Sequence, residues 1–280
     1  MPGIDAPVES DAPPQIEAAE RVRRLLAPEA LGDDRFAIDT SAHLSGHLFG
    51  GLVAAQSLHA AYSTVELPRR IQSVHMYFLR AGHPELPIEF ELHRDTDGRS
   101  FSARRVVANQ EGQAIFSMIC SFHGPEQVPQ VLPALPTDVT DPPAPEEAVT
   151  VDIDGLVELR RDLVEGDDHP DARVSQSMWV RALGPLPDDV VVHDCLLLYA
   201  SDLGSPWHLA RPEGTNVGPS LDHSVWVHQR TRMDEWHHLR HDPVALADAR
   251  GLYTGRIWRA DGTHVATVAQ ENLVRLISPS

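Results

Sequence analysis

Two stretches of this chain read as copies of one another. RRVVANQEGQAIFSM at 104–118 lines up with TGRIWRADGTHVATV at 254–268 at a fixed offset of 150, with Gly112 over Gly262. SVHMYF at 73–78 likewise resembles DHSVWV at 222–227. A repeat of this length constrains the fold more than any local motif, because it demands two copies of one supersecondary unit. At 280 residues the chain has room for one large domain or two fused ones.

The repeated unit can be read from its hydrophobic pattern. Residues 47–65, HLFGGLVAAQSLHAAYSTV, are small and apolar with few charges, which predicts a helix buried on most faces and entered through Gly50-Gly51. Strand-like segments follow at 71–80, 88–95, 100–109 and 114–123, with Asp97-Gly98 and Glu111-Gly112 as turn residues tolerant of positive φ. In the second half a strand at 176–181 and a buried helix at 194–203 precede strands at about 221–230, 236–242, 249–259 and 264–276. A long helix wrapped by an antiparallel sheet, present twice, is the α+β double hot-dog architecture. The expected layout has an arm and short helix (16–26) within 1–30, a first unit at 31–123, a Pro-rich linker at 124–150 and a second unit at 151–280. Residues 1–14 read as disordered from their Pro, Asp and Glu content. Within the linker, Val131, Leu132 and Leu135 are expected to hold it against a domain. The two sheets should join into one surface with 52–62 and 194–203 as central helices. Open sheet edges predict a homo-oligomer, a dimer or higher.

Composition narrows the function. The net charge of -18 argues against nucleic acid, whose backbone requires an excess of Lys and Arg. No apolar run approaches a membrane span of about eighteen residues. The start lacks the pattern of a signal peptide and Ser278-Pro279-Ser280 is not a peroxisomal address, so a cytoplasmic location is expected. Cys120 and Cys195 are too far apart for a zinc ribbon or redox pair and read as reduced core thiols. There is no GxSxG elbow, phosphate loop, GxGxxG or HExxH. The run Trp236-His237-His238-Leu239-Arg240-His241 alternates faces on a strand and lacks three converging ligands, so it reads as a solvated polar strand, with no metal and no cofactor.

Four blocks carry a resemblance. HLFGGLVAAQSLHAA (47–61), HMYFLRAGHPELPIEFELHRDTDGRSFSARRV (75–106), LLYASDL (197–203) with SLDHSVWVH (220–228), and VAQENLVR (268–275) together resemble the acyl-CoA thioesterase II family. The resemblance covers most of the chain outside the termini and linker. It implies an acyl-CoA substrate and a water held by three polar side chains: an Asp in the buried helix of the second half, a Thr just before Asp-His, and a Gln on the last strand. Matched by motif these are Asp202, Ser220 and Gln270, with Ser standing where the family usually has Thr. Ser keeps the hydroxyl but loses the methyl that restricts its rotamer.

The residues support this chemistry on their own terms. Asp202 is a carboxylate near the end of an apolar segment, where charge is costly unless hydrogen-bonded or used. Gln270 stands where the first copy has Cys120, so one half is polar where the other is not. Thioester hydrolysis needs a base for water and donors for the developing oxyanion. Backbone N–H groups at Gly50-Gly51 are the expected oxyanion donors. Coenzyme A phosphates would need a local basic patch, for which Arg80, Arg99, Arg104 and Arg105 are candidates. Asp222 and His223 are adjacent on a strand and point to opposite faces, which suits structural roles. An enoyl-CoA hydratase would need an Asp and a His five apart; Asp39 and His43 are four apart and outside both helices. A non-catalytic acyl-CoA-binding module is the other alternative, disfavoured by the complete polar trio.

Overall fold

The computed structural model describes residues 14–40, 48–134, 141–142, 144, 148–153, 155–162 and 175–277. After helix α1 (Pro14–Leu26) come short strands β1 (Glu29–Gly32) and β2 (Arg35–Ile38), then helix α2 (Gly50–Tyr62). Strands β3 (Arg70–Phe78), β4 (Ile88–Asp97), β5 (Phe101–Gln110) and β6 (Gln113–His123) complete the first unit. The second runs through β7 (Ala148–Ile153), β8 (Val157–Asp162), β9 (Gln176–Ala182), helices α3 (Val190–Ser201) and α4 (Trp207–Ala210), and strands β10 (Thr215–Val227), β11 (His237–Ala247), β12 (Arg250–Arg259) and β13 (His264–Leu276). All thirteen strands form one sheet in the order β1-β2-β4-β5-β6-β3-β10-β13-β12-β11-β9-β8-β7. Leaving out β7, that order is the same on either side of the β3–β10 junction. This is the expected double hot-dog.

The junction has a simple cause. β3 and β10 are the strands whose sequences matched, and they pair antiparallel with His75 opposite Ser224. Counted at the offset of that match, His75 is the counterpart of Ser224, so the pair maps onto itself and marks a pseudo-two-fold axis. Helices α2 and α3 lie against each other inside the sheet, and both are buried nearly all round. Their opposite ends differ in chemistry. At the C-terminus of α2, Tyr62 donates to Asp194 of α3 at 2.5 Å and accepts from the Ile71 N–H at 2.8 Å. Arg70 pairs with the same fully buried Asp194 carboxylate.

Several expectations change. Asp97-Gly98 is not a two-residue turn: the Gly98 N–H bonds the Phe101 carbonyl across a longer loop, and Gly98 is not among the positive-φ residues. Glu111 (φ +49°) and Gly112 (φ +73°) do form a tight left-handed turn. Its counterpart is longer, with Arg259 N–H bonded to Thr263 O at 2.9 Å around Gly262 (φ +85°), so the 150-residue offset slips by one across this hairpin. Val131 is 95% exposed and Leu132 36%, so these two do not pin the linker. Gln229 donating to Gln130 at 2.8 Å ties it to the second unit instead. Residues 1–13, Leu135 and His43 lie outside the described residues, and Pro14 already belongs to α1. The histidine run is not solvated. His237 and His241 are fully buried facing the helices, while His238 lies between Trp179 and Trp258. Among the described residues no helix is long and apolar enough to cross a membrane.

Candidate active site

Asp202 is the C-cap of α3, and its carboxylate meets the N-terminus of α2. Phe49 is the N-cap of helix α2 and makes no side-chain cap, so the first N–H groups of the helix can receive an acceptor from elsewhere. Close approach requires the two glycines. A Cβ on Gly50 would sit 2.5 Å from the Phe78 ring and 3.0 Å from Asp202 Oδ2, and one on Gly51 would sit 2.7 Å from the Tyr199 carbonyl. Burial pushes the Asp202 pKa up to about 7, although the Gln270 amide and the Gly51 N–H both favour the ionised form. The Gly51 N–H is thus directed at the Asp202 carboxylate.

A β-bulge turns Ser220 toward Gln270, the strand residue that reaches Asp202. On β10, Ser220 pairs with Asn272 and Asp222 with Glu271, which leaves Leu221 as an extra residue. The bulge turns Ser220 to the same face as His223, three residues on, where strict alternation would have put it on the other side. Gly218-Pro219, just before it, suits a break in the ladder. Gln270 Nε2 donates to Ser220 Oγ at 2.6 Å and Asn272 Nδ2 at 3.1 Å. Gln270 Oε1 and Asp202 Oδ1 are buried and have no protein hydrogen-bond partner among the described residues.

His223 takes no part as a base. Ser201 spends its hydroxyl proton on the Leu198 carbonyl at 2.7 Å, so His223 donates from Nε2 to Ser201 Oγ at 2.8 Å. Complete burial lowers the His223 pKa to about 3 and keeps the ring neutral. Asp222, facing the other way, accepts from the Glu271 N–H at 3.0 Å. The two side chains point to opposite faces, as their adjacency on a strand implied.

The equivalent place in the first unit is filled. β3 carries the same bulge between Ile71 and Ser73, so Ile71 stands for Ser220, Cys120 for Gln270 and Phe122 for Asn272. Tyr62 packs edge-on against Phe122 there at 4.9 Å between ring centroids. Among the described residues the chain therefore presents the polar trio once.

The four arginines do not form a patch. Arg104 is 1% exposed, pairs with Asp97 at 2.7 Å and donates to Thr64, so it is a structural ion pair. Its neighbour Arg105 faces outward toward Asp95 at 3.5 Å, as strand alternation dictates. Near one end of β6 the Arg80 N–H bonds the Ile115 carbonyl, and at the other the Gly124 N–H bonds Ser100, the residue after Arg99. Arg80, two residues beyond the Phe78 that packs on Gly50, is the member at the active-site end. Asn272 and Ser205 were not singled out in the sequence. The available signal was Asn272 at i+2 from Gln270, a second polar residue on an inward-facing strand position.

Two family models match the chain: the acyl-CoA thioesterase N-terminal domain over residues 40–123 and the acyl-CoA thioesterase C-terminal domain over 126–274. Acyl-coenzyme A thioesterase 8 of Mus musculus is 31% identical over 83% of this chain and 81% of its own length. Acyl-CoA thioesterase 2 of Haemophilus influenzae is 29% identical over 81% of this chain and 87% of its own. The crystal structure of the acyl-CoA thioesterase II TesB2 from Mycobacterium marinum superimposes with a TM-score of 0.76 at 33% identity, covering 92% of this chain and 99% of that one. With both domain models matched in order and the fold shared along nearly its whole length, the chain belongs to the acyl-CoA thioesterase family.

Proposed function

We propose that this chain hydrolyses acyl-CoA to a free carboxylic acid and coenzyme A, using a water held by Asp202, Ser220 and Gln270. The observation that carries this reading is a hydrogen-bond complement. Asp202 Oδ1 and Gln270 Oε1 are buried acceptors without protein donors among the described residues, and Ser220 Oγ already accepts two amide N–H groups. One water supplies two protons to the acceptors and receives the Ser220 hydroxyl proton, and its remaining lone pair faces the substrate. Asp202 takes a proton as the water oxygen attacks the thioester carbonyl carbon. The Gly50 N–H at the start of α2 stabilises the oxyanion. Collapse breaks the C–S bond, and the leaving thiolate receives a proton.

A base with a pKa of about 7 works only when deprotonated, so activity is lost as pH falls through that value. Thiol release measured across an acyl-CoA chain-length series from pH 5 to 9 is expected to show kcat/KM rising with an inflection near 7. Binding of acyl-CoA without thiol release would instead favour the non-catalytic module, and an inflection near 4 would remove Asp202 as the base. Of the four arginines, Arg80 is the one we assign to the phosphate end of coenzyme A.

The chain is further read as a cytoplasmic homo-oligomer with its two units at 31–123 and 151–280. The outer sheet face exposes Tyr77 (61%) and Ile119 (45%) on adjacent strands, suited to cover by a second copy. Sedimentation is expected to give a mass of at least two chains, and a monomer at micromolar concentration would overturn this reading.

A further inference from the structure

The Ser220 hydroxyl has one proton and two lone pairs. Both lone pairs are used: Gln270 Nε2 donates at 2.6 Å and Asn272 Nδ2 at 3.1 Å. Its proton must therefore leave in another direction. Asn272 is 4% exposed and is itself held, because its Oδ1 accepts the Ser205 hydroxyl at 2.9 Å. Ser205 is equally buried at 3% exposure, and its oxygen accepts the Trp207 N–H at 3.4 Å. That chain of donors and acceptors sets the direction of the Asn272 amide and, through it, the orientation of Ser220. Asn272 and Ser220 are direct cross-strand partners, so the contact is built into the register of β10 on β13.

We propose that Asn272 is a positioning residue: it locks the Ser220 hydroxyl as a donor to the reacting water. The inference rests on the hydrolytic reading above. A lone serine samples three rotamers, whereas a threonine is restrained by its methyl group. Here Ser stands where the family usually has Thr, and the Asn272 amide supplies the restraint the methyl would give. Without it the hydroxyl turns between donor and acceptor roles, and the water loses its fixed attitude to the thioester carbon. Asn272 touches neither substrate nor water in this scheme, so its effect passes entirely through Ser220.

The test is a double-mutant cycle on the full chain, reading kcat and KM separately by thiol release from acyl-CoA, with thermal melting alongside. Asn272→Ala is expected to lower kcat about 5- to 30-fold with KM changed less than about twofold. Ser220→Thr added to that variant is expected to recover most of the loss, because the smaller alanine side chain also leaves room for the methyl. The gain from threonine should be at least about fivefold larger in the Asn272→Ala background than in the wild type, a coupling that only contacting residues show. Should the alanine variant fail to fold, Ser205→Ala frees the other end of the amide and is expected to lower kcat in the same direction, with the same rescue by Ser220→Thr. A normal kcat in a folded Asn272→Ala protein overturns the proposal, as does a loss of kcat that threonine does not repair. If the wild type releases thiol and Asp202→Asn does not, while Asn272→Ala behaves as wild type, the positioning role alone fails. If the wild type releases no thiol, the hydrolytic reading falls and this role falls with it.

Discussion

Asp202→Asn is expected to lower kcat by roughly two to four powers of ten with little change in substrate binding. The amide keeps the size of the side chain and one acceptor oxygen, so Ser220 and Gln270 have no reason to move. It removes proton acceptance. The same variant is expected to be more stable than the wild type, and the sign follows from linkage. The folded-state pKa of Asp202 is raised by burial from 3.8 to about 7. Between those values the unfolded chain has lost this proton and the folded chain still holds it, so stability declines as pH rises through the window. The decline is at most about 4 kcal/mol and is complete above the folded-state pKa. Asn carries no such penalty. Melting curves should therefore place Asp202→Asn above the wild type at pH 8 and nearer to it at pH 4. Near-normal hydrolysis by this variant would end the mechanism, and an unchanged melting difference between the two pH values would remove the buried-base account of its pKa.

Arg70→Ala is expected to have the largest effect on stability, a loss of about 3–5 kcal/mol, because it leaves a buried carboxylate without its counter-charge. Asp194 is fully buried on α3 and is held by Arg70 and Tyr62 at the end of the helix pair away from Asp202. Helix α2, with its 13 residues, separates the two ends by about 18 Å. The melting temperature should fall by about 10 °C while kcat of the folded fraction changes little. Arg70→Met with Asp194→Leu should recover part of the loss: the apolar pair has no desolvation penalty, but Tyr62 loses the acceptor of its hydroxyl proton. A melting temperature within about 2 °C of wild type for Arg70→Ala would show that Asp194 is neutral or solvated, contrary to this assignment.

Much of the fold was legible because its signals are local and repeated. The apolar run beginning at Gly50, the Glu111-Gly112 turn and the alternation along β5, β6, β12 and β13 depend only on near neighbours. The 150-residue repeat then implied the pairing of the two units. The short elements were not legible. β1 and β2 flank Asp33 and Asp34, which adopt φ of +51° and +53° after Gly32 (φ +89°), but at four residues each the two strands are too short to show an alternating pattern. β7 (Ala148–Ile153) begins inside the 124–150 stretch, where composition pointed to a linker, and runs just past it. The histidine run was misjudged for a related reason. Imidazoles carry no hydrophobic signal, yet when neutral they pack between Trp179 and Trp258 or beneath the sheet.

The candidate site divides in the same way. Asp202, Ser220 and Gln270 were identified from the sequence by their motifs, and the chain order of helix, strand and strand required no coordinates. Only the tertiary structure decided what surrounds them. It turned Ser220 inward through a bulge, set the Gly51 N–H on Asp202, placed Asn272 and Ser205 behind Ser220, and buried Arg104 while setting Arg80 and Arg99 near opposite ends of β6. Residue identity and spacing determine which groups a chain can offer and which face of a strand each occupies while the ladder is regular. Where the register slips or two helix ends meet, direction and environment come from contacts between segments distant in sequence. The pKa of Asp202 is one result: a carboxylate of ordinary type in the sequence titrates near neutrality because the helices and strands packed around it exclude water.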